Sequence, residues 1–77
     1  MSIKNKAWRK KFATILSNKL LENDLTIIEF ADRADIYAPN LYAYLSGEVS
    51  PNATTVWKMA RALGCTTDEL INFDVDE

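Results

Sequence analysis

Short runs of helical periodicity, separated by built-in stop signals, restrict the fold of this sequence more than any other feature. From about Lys6 to Glu22, Trp8, Phe12, Ile15, Leu16 and Leu20 recur at the three- and four-residue steps of one helix face. Asn23-Asp24 breaks the pattern with turn-forming residues. Thr26-Ile-Ile-Glu29 then reads as a capping box, in which the Thr26 hydroxyl accepts from the Glu29 N–H and the Glu29 carboxylate reaches back to the N–H of Thr26. A short helix should follow, burying Phe30, Ala31 and Ala34 and ending near Asp35, a residue that tolerates left-handed backbone better than most non-glycines. Pro39 suits the first turn of a third helix, where a missing N–H loses nothing. That helix continues through Leu41, Tyr44 and Leu45 until Ser46-Gly47 ends it, with Gly47 as a left-handed cap. Asn52 is a fitting N-cap for a fourth helix, which carries Val56, Met59, Ala60 and Leu63 on one face and stops at Gly64. Thr66-Thr67-Asp68-Glu69 repeats the capping box and opens a short fifth helix through Leu70 and Ile71. The expectation is an all-α chain of five short helices, with no internal repeat and no low-complexity linker. An acidic tail at 74–77 has little to pack against and should fray.

With 77 residues the chain holds a single domain over 1–77. A domain of this size buries only about 60% of the surface its unfolded form exposes, so nearly every apolar side chain is needed for the core and few remain to wall a cleft. The sequence has no histidine and one cysteine, Cys65, which leaves neither a zinc ligand set nor a common nucleophile–base pair. No enzyme, cofactor or metal is expected. No apolar run approaches the ~18 residues of a membrane span, and no signal-peptide pattern opens the chain. A lone cysteine suits a reducing compartment, so a cytoplasmic location is expected.

The formal net charge of −2 hides a strong polarity. Residues 1–20 carry Lys4, Lys6, Arg9, Lys10, Lys11 and Lys19 and no acid, while residues 21–77 carry every acidic side chain against only Arg33, Lys58 and Arg61. A basic amino end, with an arm at 1–6, can track phosphates even on a slightly acidic protein. A solvated amino-terminal turn accounts for the same charges.

Spacing distinguishes this arrangement from other bundles of short helices. Two helices that cross at about 90–120° need a small residue where they touch, which Ala31 supplies. Leu41, midway along the next helix, anchors it on the first and leaves its outer face free for a major groove. With Leu25-Thr26, Phe30-Ala31, Asp35-Ile36, Leu41, Gly47, Pro51, Thr55-Val56, Met59-Ala60, Ala62-Leu63-Gly64 and Asp68-Glu69-Leu70 in this order, the sequence resembles the lambda-repressor-like helix-turn-helix family, often called Xre. The resemblance runs from about Leu16 to Ile71 without a gap and places the helix-turn-helix at 26–45. It implies a compact five-helix DNA-binding domain and a transcriptional regulator of phage-repressor type, its third helix in the major groove of double-stranded DNA.

The same resemblance assigns positions. Tyr37, Ala38, Pro39, Tyr42 and Ala43 match base-reading residues, Asn40 and Ser46 suit phosphates, Thr26 caps the second helix beside the DNA, and Lys10 and Lys11 belong to the basic segment that holds the backbone. Several positions depart from the family pattern. Asp35 stands where the turn usually has Gly, at a cost of about 1 kcal/mol. Ile27 replaces a Gln that grips a phosphate. Leu20 and Leu45 occupy positions that many phage repressors fill with an Arg–Glu pair, a replacement that is often neutral or stabilising. None of the five reading positions carries an Arg, Lys, Asn or Gln fork. Ala38 and Ala43 could touch thymine methyl groups, and the Tyr37 and Tyr42 hydroxyls could donate or accept.

The apolar outer face keeps a second reading open, in which the scaffold is an interaction module, an antitoxin or adaptor, that binds a protein partner. Tyr44 reads as packing and Tyr42 as outward. Trp57 either packs on Trp8 or, with Ile71 and Phe73, forms a homodimer contact. Cys65 reads as a buried structural thiol. Asp32, Asp35 and Glu48 place acid near the presumed DNA face.

Overall fold

The computed structural model describes residues 5–74. Of the basic arm at 1–6 and the acidic tail at 74–77, residues 1–4 and 75–77 lie outside the described residues. Five helices follow one another as α1 (Lys6–Glu22), α2 (Ile27–Ala34), α3 (Ala38–Ser46), α4 (Ala53–Leu63) and α5 (Asp68–Ile71). Lys6 is therefore the first residue of a helix, with Asn5 as its N-cap accepting from the Trp8 N–H at 2.9 Å.

The first four helices end by the same device. Asp24, Asp35, Gly47 and Gly64 each adopt left-handed backbone, with φ of 55°, 56°, 80° and 68°. Each N–H reaches back three residues and the next N–H reaches back five, as in Leu25 to Leu20, Ile36 to Ala31, Glu48 to Ala43 and Cys65 to Ala60. This Schellman pairing satisfies carbonyls that a helix end leaves open, and it usually seats an apolar residue after the cap. Leu25, Ile36 and Cys65 hold that position and pack against the core. Cys65 is thus half-buried and not fully enclosed, and burial together with the Glu69 carboxylate pushes its thiol pKa up.

Both capping boxes form. In the first, the Thr26 N–H donates to Glu29 Oε1 at 2.9 Å and the Glu29 N–H to Thr26 Oγ1 at 3.1 Å. In the second, the Thr66 N–H donates to Glu69 Oε2 at 2.9 Å and the Glu69 N–H to Thr66 Oγ1 at 3.3 Å. Helix α5 nonetheless begins one residue later than a Thr66 cap implies, because Thr67 is already in right-handed helical backbone and the first turn closes with three-residue bonds from Glu69 to Thr66 and Leu70 to Thr67. Tight first turns of this kind are common at helix ends.

Every helix contributes to one core. Its fully enclosed large side chains are Phe12 and Leu16 of α1, Phe30 of α2, Leu41 of α3, Met59 of α4 and Leu70 of α5. Leu20 is buried and Leu45 packs against the same cluster, so two apolar residues do fill the positions of the family's ion pair. Trp8 stacks on Phe12 at 5.3 Å and on Phe73 at 5.2 Å between ring centroids. Phe73 is therefore committed to the amino-terminal helix and does not join a patch with Trp57. Trp57 does not pack on Trp8 either: it is 51% exposed, with the Arg61 guanidinium 4.8 Å over its ring. No described helix is long and apolar enough to cross a membrane.

Candidate nucleic-acid interface

Helix α3 is held from within and left open outside. Leu41 is fully buried, and Ala38, Tyr44 and Leu45 are half-buried against the core. Pro39, Tyr42, Ala43 and Ser46 recur at the three- and four-residue steps of the opposite face, where Pro39, Tyr42 and Ser46 are exposed and Ala43 is half-buried. Asn40 is exposed on the edge of that stripe, and Tyr37, the N-cap, is 72% exposed. The structure thus brings together all the α3 positions singled out from the sequence except Ala38. Its small side chain turns toward the core, because residues 38, 41 and 45 share one helical face. Ile27, at the first position of α2, also packs inward and is not part of the outer surface.

The polar groups around α3 differ in what they can still donate. The Ser46 hydroxyl donates to the Ala43 carbonyl at 3.0 Å, so it must turn before it can donate to a phosphate oxygen. Thr26 Oγ1 accepts from the Glu29 N–H and its hydroxyl faces the Glu29 carboxylate, so it too must turn before it can donate to a phosphate at the exposed N-terminus of α2. Lys10 lies against the end of α3: its Cγ would be 3.5 Å from a Cβ at Gly47, and with Ser46, Leu45 and Thr14 it lines a shallow cleft. Lys11 does not share that position. Its ammonium donates to the Asp74 carbonyl at 2.9 Å and stands 5.6 Å over the Phe73 ring, tying α1 to the carboxyl-terminal segment.

Two further cations brace α3, and neither of their tertiary contacts was legible in the sequence. Arg9 Nε donates to the Gly47 carbonyl at 3.0 Å, placing a positive charge at the C-terminus of α3 where the helix dipole favours one. Lys58 donates to the Asp35 carbonyl at 3.2 Å and lies 3.8 Å from its carboxylate, holding the left-handed turn between α2 and α3. These pairs are 38 and 23 residues apart, and no local pattern announces them. Asp32, Asp35 and Glu48 are exposed, and among the described residues an ion pair offsets the Asp35 charge alone. Exposed Ile28 and Tyr37 face a hollow between α2 and α3 that Ile36 and Ala38 also line.

The comparisons with known proteins agree with this architecture. No curated protein matches the sequence significantly. The structure is similar to an HTH_3 family transcriptional regulator from Vibrio cholerae, with TM-score 0.78 and 23% identity over 83% of this chain and 36% of that one. It is also similar to a transcriptional regulator from Listeria innocua, with TM-score 0.69 and 24% identity over 86% of this chain and 62% of that one. The chain therefore spans about a third of the first protein and under two thirds of the second, and at these identities the likeness is one of fold. The family profile described as HTH_3, helix-turn-helix, matches residues 16–70, which include α2, α3 and α4 entire. The chain belongs to the HTH_3 family of helix-turn-helix proteins, the Xre or lambda-repressor-like type.

Proposed function

We propose that this protein is a regulator of phage-repressor type that lays α3 in the major groove and represses by occupying its operator as a cytoplasmic homodimer. The observation that carries this reading is the outer stripe of α3, which no other described element covers although Leu41 on the inner face is fully buried. Tyr37 and Tyr42 offer hydroxyls to base edges, and Pro39 and Ala43 offer apolar contact to thymine methyls. Asn40, Ser46, Thr26 and Lys10 surround the stripe and suit phosphates, and Lys11 adds charge from the far side of α1. Without an arginine–guanine fork the helix reads sequence softly, and much of the binding energy comes from the backbone.

Selection from a random duplex library at low salt, with competitor DNA, tests this reading. An enriched palindrome is the expected result, since half-site spacing mirrors the symmetry of a dimer. Absence of enrichment would favour the second reading, an antitoxin- or adaptor-like module that binds a protein through the same face. Exposed Ile28 and Tyr37 beside the α2–α3 hollow support that reading. Salt separates the two: a phosphate-dominated complex weakens steeply as salt rises, whereas an apolar protein interface holds.

A further inference from the structure

Residues 21–77 contain three basic side chains among eleven acidic ones, and all three basic residues line a single groove. Arg33 comes from α2 and Lys58 and Arg61 from α4; Trp57 and Ala62 supply the apolar wall, and Asp35 sits at the edge. The groove contains no residue of α3. Trp57 is half-exposed yet held in place, because the Arg61 guanidinium lies over its ring. Asp35 is already paired with Lys58, so the groove keeps an excess of positive charge within an otherwise acidic part of the surface.

We propose that this groove docks an acidic segment of a partner protein, one that carries an apolar side chain for Trp57 between carboxylates for Arg33 and Arg61. Charge complementarity argues for that occupant. Within residues 21–77 an acidic segment is repelled by the rest of the surface and attracted here. The basic amino end attracts it too, but Trp8 and Phe12 there are buried, whereas the groove pairs its charge with the exposed ring of Trp57. Tryptophan and arginine are also the side chains that most often anchor protein interfaces. Duplex DNA fits less well, because the concave wall beside Trp57 suits a protruding apolar side chain and a row of phosphates offers none. Because α3 takes no part, docking here is compatible with an occupied DNA-binding face and stands or falls separately from it.

The test uses the full chain, isotopically labelled, titrated with a fluorescein-labelled decapeptide of alternating Asp and Leu. Amide and indole resonances of Ala34, Trp57 and Ala62 should shift while those of α3 stay in place. Affinity should fall about tenfold in R33E/R61E, and as much when Asn replaces Asp in the peptide, a control that leaves the protein untouched. It should also weaken about tenfold between about 0.05 and 0.5 M salt. W57A should weaken binding even at high salt, where charge is screened. Three results would each overturn the proposal. The peptide could shift only the basic amino-terminal residues; a 20-base-pair duplex could displace it from the groove; or the chain alone could self-associate through the groove, with R33E/R61E converting dimer to monomer in sedimentation.

Discussion

Lys10 and Lys11 are neighbours with the same charge, yet the helix sends them to different work. Lys10 borders Ser46 and Gly47 at the end of α3, whereas Lys11 is tied to Asp74 and Phe73. Lys10→Ala should therefore weaken binding to all duplexes alike and reduce the slope of log affinity against log salt by about 1, the signature of one lost phosphate contact. Lys11→Ala should reduce that slope by less than Lys10→Ala does and lower thermal stability slightly. Tyr42→Ala should alter which sequences are enriched more than it alters nonspecific affinity. Gly47 tests the backbone in the same way. At φ 80° an alanine is strained although its Cβ meets Lys10 at an ordinary 3.5 Å, so Gly47→Ala should cost about 1–2 kcal/mol in urea unfolding. The sequence marked Gly47 as a cap because glycine is the default left-handed residue. It gave less warning of Asp24, since aspartate takes that conformation only when the surrounding bonds hold it there.

Helix starts carry the pH dependence. Glu29 sits below its ordinary value of 4.5, first because the Thr26 backbone N–H donates to its carboxylate, then through the Thr26 side chain and Arg33. Glu69 is lowered in the same way by the Thr66 N–H, with Lys19 adding to the effect at 3.5 Å. A carboxylate whose folded value lies below its unfolded value contributes stability that is fully present above the unfolded value and is lost as pH falls through the folded one. The urea midpoint of the wild type should thus decline as pH drops below about 4.5, and Glu29→Gln/Glu69→Gln should show a flatter acid limb. Thr26→Ala removes the other half of its box and should cost about 1 kcal/mol at neutral pH. The first box was fully legible, because both partners lie within four residues. The exact start of α5 was not, because a tight first turn and a normal one share the same local sequence.

At the scale of the whole molecule the margin is small. A domain of this length has a stability of about 4–12 kcal/mol. Leu41→Ala in a fully enclosed site should cost about 2–5 kcal/mol, and circular dichroism should show a melting point lowered by well over 10 °C or loss of the fold at 37 °C. Leu41 matters beyond the core because it seats α3, so the same variant should lose duplex affinity even where it remains folded. Charge is arranged at this scale as well. Arg9 reaches α3 from α1, and Lys58 reaches the α2–α3 turn from α4, so α3 is braced at both ends by distant cations.

Local signals determined the helices and their order in this protein. Periodicity, capping boxes and left-handed stops act over three to five residues, and the sequence carries them openly at Thr26, Asp35, Gly47, Gly64 and Thr66. Leu41 and Ala31 could be placed at the α2–α3 contact for the same reason, since one helical face is written in the spacing of its residues. Only tertiary structure decided which faces remained open. Ala38 and Ile27 turned inward, Phe73 was claimed by Trp8, and Trp57 was left outside with Arg61 on its ring. Each of those outcomes depends on how one helix packs against another far along the chain, and packing of that kind has no period to read.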